Sequence, residues 1–289
     1  MGYSARYHAT SLIAVFIALA IGIVVGAALG GDTIDNTRKD LENSLTGNLR
    51  DARERADDLS AELGRADEFS DRVYPVLVRD QLRNRRIGLV AFGELPDGVY
   101  GAIEDALEPT GARLVAVGVV REPVDTNGLS EDLARTRFAD IDESSETQAA
   151  FGAAGGRQLI VGGPLLEPVR DRLFSRASGT FGGLDGTIVV RSQPGDMGPM
   201  QRSVAGRVES GIAAGIASTR APAVGVEDSG AESSSVSLFV GSGLTSVDDV
   251  DLVAGRVATV YALLGAEGSF GVKGSADRLL PDLLAPRRR

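Results

Sequence analysis

Three aspartates follow a serine in the densest acidic cluster near a predicted strand end, at Ser246, Asp248, Asp249 and Asp251. Carboxylates this close together could hold a hard cation such as Ca²⁺ or Mg²⁺. Ser246 followed three residues later by Asp249 is also typical of a helix N-terminal cap, where the helix dipole favours acidic residues. We favour the capping interpretation and predict that these four residues are structural.

Two glycine-containing turns are candidate phosphate sites, but neither has a convincing pattern. Gly93 follows an apolar run, but no G-x-G-x-x-G pattern is present and Glu94 would repel an anion. The turn at 162–164 contains two glycines and a proline, which a helix start explains. Met197 and Met200 could contact one soft ion, but two thioethers make a poor site. We expect no nucleotide, metal or other cofactor.

Composition removes several kinds of catalysis. The chain has no cysteine, and its single histidine is His8. Thiolate chemistry, Ser-His-Asp catalysis and histidine-ligated zinc or copper are therefore not expected in the region after the N-terminus. The net charge of −10 argues against nucleic acid and anionic lipid as partners. No nucleophile and base occur at a recognisable spacing, so we predict that the protein is not an enzyme.

An uncharged run at residues 9–31 is the clearest element of the sequence. About 20 apolar residues in a helix cross a hydrocarbon core of roughly 30 Å. The run is longer than the core of a cleavable signal peptide, and its small-residue cleavage pattern is poor. We favour a retained transmembrane anchor, with a signal peptide as the alternative.

The charges beside this run suggest its orientation. Arg6 precedes it, whereas Asp32 and Asp35 follow it before the next basic residue, Arg38. The positive-inside rule then places residues 1–8 in the cytoplasm and the remainder of the chain outside.

Small residues recur every four positions within the run. Their spacing places them on one helix face, where helix backbones in lipid can approach closely. Frequent glycine in membrane helices is the alternative explanation. The predicted helix–helix contact consists of Ala18, Gly22, Gly26 and Gly30.

A heptad pattern follows the apolar run within the charged segment 32–75. Its apolar positions alternate in steps of four and three, as in an a/d coiled-coil seam, with Ser70 interrupting one a position. We predict a coiled coil that makes a homodimer, and a single amphipathic helix packed on the domain is the alternative. The seam comprises Leu45, Leu49, Ala52, Ala56, Leu59, Leu63, Ala66 and Val73. Pro75 is predicted to end this helix.

Alternating strands and helices are predicted in the remaining segment, 76–289. Near-continuous apolar strands separated by helices are typical of a Rossmann-like, doubly wound, mostly parallel α/β sheet. Segments 121–157 and 228–235 are predicted to be rich in loops. The predicted strands cover 87–92, 113–120, 158–161, 186–190, 223–226 and 237–240, and the predicted helices cover 97–108, 164–177, 200–218 and 247–264.

Two stretches together resemble the actinobacterial "copper transporter" family, which includes mycobacterial MctB and corynebacterial SteB proteins. The first runs from Tyr3 through the apolar segment. The second joins the acidic cluster 246–251 to Gly255-Arg-Val-Ala258, Tyr261-Ala-Leu-Leu264, Gly271-Val-Lys273 and the segment 276–281.

The family label implies copper efflux through a channel-forming protein. The SteB branch implies a single-pass protein that pairs with a cytoplasmic SteA-like partner and affects cell-wall assembly and division. One membrane helix cannot line a pore alone. We therefore expect an envelope scaffold that couples the cytoplasmic partner to cell-wall factors outside, with copper transport as the alternative.

Overall fold

The computed structural model describes residues 3–283, with side chains described for 8–28 and 41–283. The chain divides into two units, Met1–Asp67 and Glu68–Arg289. In chain order the elements are α1 (Tyr3–Val78), β1 (Arg86–Gly93), α2 (Asp97–Leu107), a 3₁₀ turn (Glu108–Thr110), β2 (Arg113–Val120), α3 (Thr126–Asp132), α4 (Ser145–Val161), α5 (Arg170–Leu173), β3 (Phe174–Gly179), β4 (Gly186–Ser192), α6 (Pro199–Ala217), β5 (Ala223–Val226), α7 (Val236–Gly241), β6 (Thr245–Val247), α8 (Val253–Leu263) and β7 (Ser269–Phe270).

The first unit is helical over its described residues. Within it, His8–Ala28 has a mean hydropathy of 2.7 and is long and apolar enough to cross a membrane. Ala18, Gly22 and Gly26 are exposed on this helix, and a Cβ built on either glycine would have no atom within 4 Å. The side chain of Gly30 lies outside the described residues. The predicted helix–helix contact therefore stays a prediction.

The predicted end of the helix at Pro75 is wrong, because α1 continues through Pro75 to Val78. Proline lacks the N–H that would bond one turn back, which costs a helical hydrogen bond. The last turn is held by tertiary packing instead. Tyr74 and Val78 are buried in the core, and the Tyr74 hydroxyl donates a 2.7 Å hydrogen bond to the Ala106 carbonyl oxygen.

The second unit contains a seven-stranded sheet in the order β3-β2-β1-β4-β5-β6-β7. Every neighbouring pair is parallel except β2–β3, which is antiparallel. The chain moves from β1 to β2 on one side and later returns to β4 on the other side of β1. The predicted α/β architecture with a mostly parallel sheet is confirmed.

Helices cover both faces of this sheet, which explains the continuous apolar strands. Along β1, Ile87, Leu89 and Ala91 contribute to one buried cluster with side chains of α2 and α8. Val90 and Phe92 contribute to a second cluster with side chains of α4 and α6. Successive side chains of a strand point to opposite faces, so a strand covered on both sides must be apolar at nearly every position.

Glycines let α4 and α6 pack with their backbones in close contact. A Cβ added to Gly156 would clash with the carbonyl oxygen of Ile212, and one added to Gly152 would come too close to that of Val208. On α6, Gly211 and Gly215 make the same approach to α4 backbone atoms. Because a backbone cannot move aside as a side chain can, only glycine fits at this crossing.

Three predictions of secondary structure in the second unit are wrong. Residues 158–161 form the end of α4 rather than a strand, and the helix predicted through residue 177 gives way to β3 at Phe174. Residues 237–240 lie in α7 rather than in a strand. Short apolar runs fit a buried helix and a buried strand equally well, so periodicity alone does not separate them. Segment 121–157 also contains α3 and most of α4.

Candidate functional site

A cleft of about 580 Å³ lies at the carboxyl edge of the sheet. It lies beside the carboxyl ends of β1 and β4. We call it the switch-point cleft, because the strand order changes direction here: β2 lies on one side of β1, and β4 lies on the other. Open α/β sheets bind ligands at this position. Four parts of the chain line it: the start of α2 near Pro96, residues 190–195 at the end of β4 and beyond it, Arg202 of α6, and residues 227–235 after β5.

A buried carboxylate supports the β4 side of the cleft. Glu209 of α6 is 1% exposed. Its two oxygens accept hydrogen bonds from Arg191 Nε at 2.9 Å and from Gln193 Nε2 at 2.8 Å. Both donors belong to the segment that lines the cleft. The ion pair therefore fixes the position of the Arg191 guanidinium at the cleft wall.

A second carboxyl group lies against Glu209. Neither oxygen of Glu122 has a described hydrogen-bond partner, and both are buried. Burial, and after it the neighbouring Glu209 carboxyl, raises the pKa of Glu122 to about 9, although the charge of Arg191 opposes the shift. Glu122 is therefore protonated at neutral pH.

The acidic cluster of the sequence lies at the other end of this edge, and its predicted role as a helix cap is wrong. Helix α8 begins at Val253, its N-cap residue is Leu252, and no side chain caps it. Ser246 instead lies in β6 and donates a 2.8 Å hydrogen bond from its hydroxyl to Ser269 Oγ on β7.

Each aspartate of the cluster has a different environment. Asp248 is fully buried, and its Oδ1 accepts hydrogen bonds from the backbone N–H groups of Val272 and Lys273 at 2.8 and 3.2 Å. The carboxylate of Asp251 accepts from the N–H and the hydroxyl of Ser229 at 2.7 and 2.6 Å. These bonds tie the loops after β5 and β7 to the end of β6.

Asp249 is fully buried, and neither of its oxygens has a described hydrogen-bond partner. Burial, and after it the nearby charges of Asp248 and Asp251, raises the pKa of Asp249 to about 7, although the charge of Lys273 opposes the shift. Among the described residues, no group of three or more His, Cys, Asp or Glu side chains could hold a metal ion.

Lys273 joins the acidic cluster to the switch-point cleft. Its Nζ lies 2.8 Å from Glu227 Oε1 and donates a second 2.8 Å hydrogen bond to the backbone oxygen of Asp228. Glu227 and Asp228 line the cleft. Gly271, with φ of 137°, makes this possible, because a Cβ there would clash with the carboxylate of Asp248.

The two methionines do not form a joint site. Met197 is 3% exposed and belongs to the core, whereas Met200 is 77% exposed at the start of α6. The other predicted site, the coiled-coil seam, lies along α1. Its four leucines, Leu45, Leu49, Leu59 and Leu63, are between 53 and 65% exposed in the single chain. Ala52, Ala56 and Ala66 are also exposed, and Val73 is half-buried.

Sequence reasoning missed the pair Glu122–Glu209 and the cleft that it supports. Glu209 had a visible signal, because it interrupts the apolar face of α6 formed by Ala205, Val208, Ile212 and Ile216. An acid on such a face is buried and must find partners. Glu122 offered no comparable signal, since its neighbour in the fold is remote in sequence.

Comparison with known proteins identifies the family. Residues 3–281 match the family described as "Copper transport outer membrane protein, MctB". Proteins described as "Copper transporter MctB" from Mycobacterium bovis and Mycobacterium tuberculosis are 28% identical over 129 residues. That stretch covers 44% of this chain and 41% of the relatives' length. Together with the apolar helix His8–Ala28, these matches fit a membrane-associated, single-pass envelope protein, and the chain belongs to the MctB family.

Proposed function

We propose that the protein is a non-enzymatic scaffold of the cell envelope, with a cytoplasmic N-terminus and an extracytoplasmic α/β domain. The observation that carries this proposal is the exposed leucine seam, which follows the apolar span on the same helix. An apolar stripe with charged residues on its other faces is stabilised when a second helix covers it.

Homodimerisation through this seam is the simplest way to bury it. Each leucine that becomes buried contributes on the order of 1.5–3 kcal/mol. Four leucines on each helix, at the raised local concentration of a membrane, are enough to sustain a dimer. The small residues Ala18, Gly22 and Gly26 would let the two spans approach closely in the lipid.

The dimer would link the two sides of the membrane. Its short N-terminal segment would meet a SteA-like cytoplasmic partner, and the domain would meet cell-wall assembly or division factors outside. The orientation rests on Arg6 before the span and Asp32 and Asp35 after it. The partners rest on the resemblance to the SteB branch of the family.

The lack of native cysteine allows a direct test of the dimer. Leu59→Cys places a thiol at a seam position, and Ala61→Cys places one on the outer face of the same turn. In a parallel dimer, oxidation of intact membranes should crosslink Leu59→Cys to a second copy and leave Ala61→Cys mostly monomeric. Equal crosslinking of both variants, or of neither, would contradict the seam dimer.

Topology is tested with the same labelling chemistry. Ser237→Cys lies at an exposed position of α7. A membrane-impermeant maleimide should label it in intact spheroplasts if the α/β domain is outside. Labelling that appears only after lysis would overturn the proposed orientation. Pull-down after crosslinking of the full-length protein would then identify the partner on each side.

Copper transport is the second candidate, and the names of the family and its relatives favour it. Soft ligands in the sequence are limited to one histidine and three methionines, and Met197 and Met200 differ sharply in exposure. Cu(I) prefers sulfur ligands, so we expect the purified full-length protein to retain no stoichiometric copper after dialysis. Retention that Met200→Leu abolishes would favour the transporter instead.

A further inference from the structure

The switch-point cleft has a built cationic wall. Arg191 is held by the buried Glu209 through its Nε at 2.9 Å. The described hydrogen bonds of Arg191 use only this nitrogen, so its two terminal nitrogens remain for a ligand. Arg202, on the first turns of α6, lines the same cleft and is exposed. Two guanidinium groups at one wall favour a carboxylate or another planar anion.

The opposite wall is acidic. Glu227 is neutralised by Lys273 at 2.8 Å, and its other oxygen accepts a hydrogen bond from the Ser235 N–H at 2.6 Å. The carboxylate of Asp228, which is half-buried, takes part in no described hydrogen bond or ion pair. Glu232 is exposed nearby on the same wall. The charge that remains for a ligand on this side is therefore negative.

The two walls do not neutralise each other. No ion pair among the described residues joins Arg191 or Arg202 to Asp228 or Glu232, although all four line one cleft. Both walls are supported from behind by buried ion pairs, Arg191–Glu209 on one side and Lys273–Glu227 on the other. Opposite charges held apart in this way create a field across the cleft.

We infer that the switch-point cleft binds a small zwitterion, an amino acid or short peptide that carries both a free carboxylate and a free ammonium group. The carboxylate would lie against Arg191 and Arg202, and the ammonium group against Asp228 and Glu232. A simple anion would be repelled by the acidic wall, and a simple cation by the arginines. The volume of about 580 Å³ lies in the range of small-molecule sites.

Apolar side chains also line the cleft, and they suit the body of such a ligand. They belong to Val99, Val190 and Pro194. Ligand sites commonly combine an apolar lining with a few placed polar groups that fix orientation. This binding role goes beyond the scaffold function and does not depend on it.

The test uses the full-length protein in lipid nanodiscs and alanyl-alanine as the probe. Saturation-transfer NMR would compare this dipeptide with its N-acetylated and its C-amidated forms. We expect the dipeptide to bind, and each blocked form to bind at least about tenfold more weakly, since each loses one charge-assisted contact. Alanine and trialanine, measured in the same way, would distinguish a single amino acid from a peptide.

Two variants test which wall of the cleft binds each charged group of the ligand. Arg202→Gln should weaken the dipeptide by at least about fivefold but should not weaken the C-amidated form, which has no carboxylate and is repelled by the arginine. Asp228→Asn combined with Glu232→Gln should weaken the dipeptide but should not weaken the N-acetylated form, which has no ammonium group and is repelled by the acidic wall. Arg157→Gln, at an exposed position of α4 outside the cleft, is the matched control and should have no effect.

Other results would overturn the inference. One is the absence of saturation transfer to the dipeptide at about 10 mM. Another is equal binding of the free and the blocked peptides. The third is that the variants bind all three probes as the wild type does. Circular dichroism of each variant checks that it remains folded. Since the substituted side chains are exposed or half-buried, a loss of folding is not expected.

Discussion

Replacing Glu122 by glutamine should stabilise the α/β domain, and the gain should depend on pH. Glutamine keeps the shape of the protonated side chain, and its amide N–H can donate a hydrogen bond to the nearby Glu209. It removes the need for the folded protein to hold a proton that the unfolded chain releases. Because the pKa of the buried Glu122 is raised to about 9, taking up this proton on folding costs stability at neutral pH.

The size of the effect follows from proton linkage. The folded pKa of Glu122 lies above its ordinary value of 4.5, so its contribution is fully present below pH 4.5 and is lost as the pH rises toward 9. At pH 7 the limit is about 3.4 kcal/mol of unfolding free energy. Because this side chain is partly exposed, solvent screening reduces the expected gain to about 1–2 kcal/mol.

Thermal unfolding followed by circular dichroism is the appropriate assay, because the chain has no tryptophan for fluorescence. For a domain of this size, Glu122→Gln should raise the midpoint by about 2–8 °C at pH 7. The gain should shrink toward pH 5, where the unfolded carboxyl also becomes protonated. Glu209→Gln is the matched control and should lower the midpoint, because Arg191 loses its buried partner.

The reasoning would be refuted if Glu122→Gln left the midpoint unchanged at pH 7.5, or raised it by the same amount at every pH. An unchanged midpoint would mean that water reaches the carboxyl and that burial does not control its ionisation. A gain independent of pH would mean that glutamine stabilises by packing rather than by removing a proton-linked cost.

Two further substitutions, each with a matched control, test other parts of the domain. Gly156→Ala should lower the unfolding free energy by about 2 kcal/mol or more, since its Cβ would meet the backbone of α6; Gly155→Ala on the same helix meets only Leu166 at 3.4 Å and should be neutral or stabilising in thermal melts. Asp249→Asn should raise the thermal midpoint when it is measured above pH 7 and have little effect when it is measured below pH 4. The reason is that the raised pKa of Asp249, about 7, makes ionisation of this carboxyl costly in the folded protein. Asp251→Asn, which loses charge-assisted bonds from Ser229, should instead lower the midpoint in the same melts.

The elements predicted well from the sequence are those with a long, unambiguous pattern. The apolar span was found within a few residues of His8–Ala28. The strands β1 and β2 were also found, because an eight-residue apolar run with β-branched residues is too short for a typical buried helix. In each case one local feature, either the length of the run or its continuous hydrophobicity, was sufficient to predict the type of element.

The predictions failed where tertiary packing decided the structure. The run at residues 158–161 reads as a strand, yet it ends α4, whose glycines fit against α6. Nothing local indicates that Gly152 and Gly156 will meet a second glycine-bearing helix. The helix α1 likewise continues through Pro75 because Tyr74 and Val78 are buried, and that packing outweighs one lost hydrogen bond.

The acidic cluster shows that a sequence can indicate which residues form a group without indicating what that group does. Ser246 and the aspartates were singled out correctly as a group, but the cap geometry assigned to them required a helix start that lies several residues later. Their contacts run instead to loops 22 to 25 residues away along the chain. Such contacts depend on the parallel register of β5, β6 and β7, which no local pattern specifies.

Stability alone does not account for the buried charges behind the cleft. A buried ion pair can often be replaced by apolar residues without loss of stability, because desolvation offsets most of the attraction. Lys273–Glu227 and Arg191–Glu209 each hold one wall of the switch-point cleft. Apolar replacements could fill the same volume, but they would remove the guanidinium of Arg191 from the cleft and the hydrogen bond that Lys273 donates to the backbone of Asp228. The arrangement of these charges therefore fits a binding site whose walls must stay apart, which is the condition that a dipolar ligand imposes.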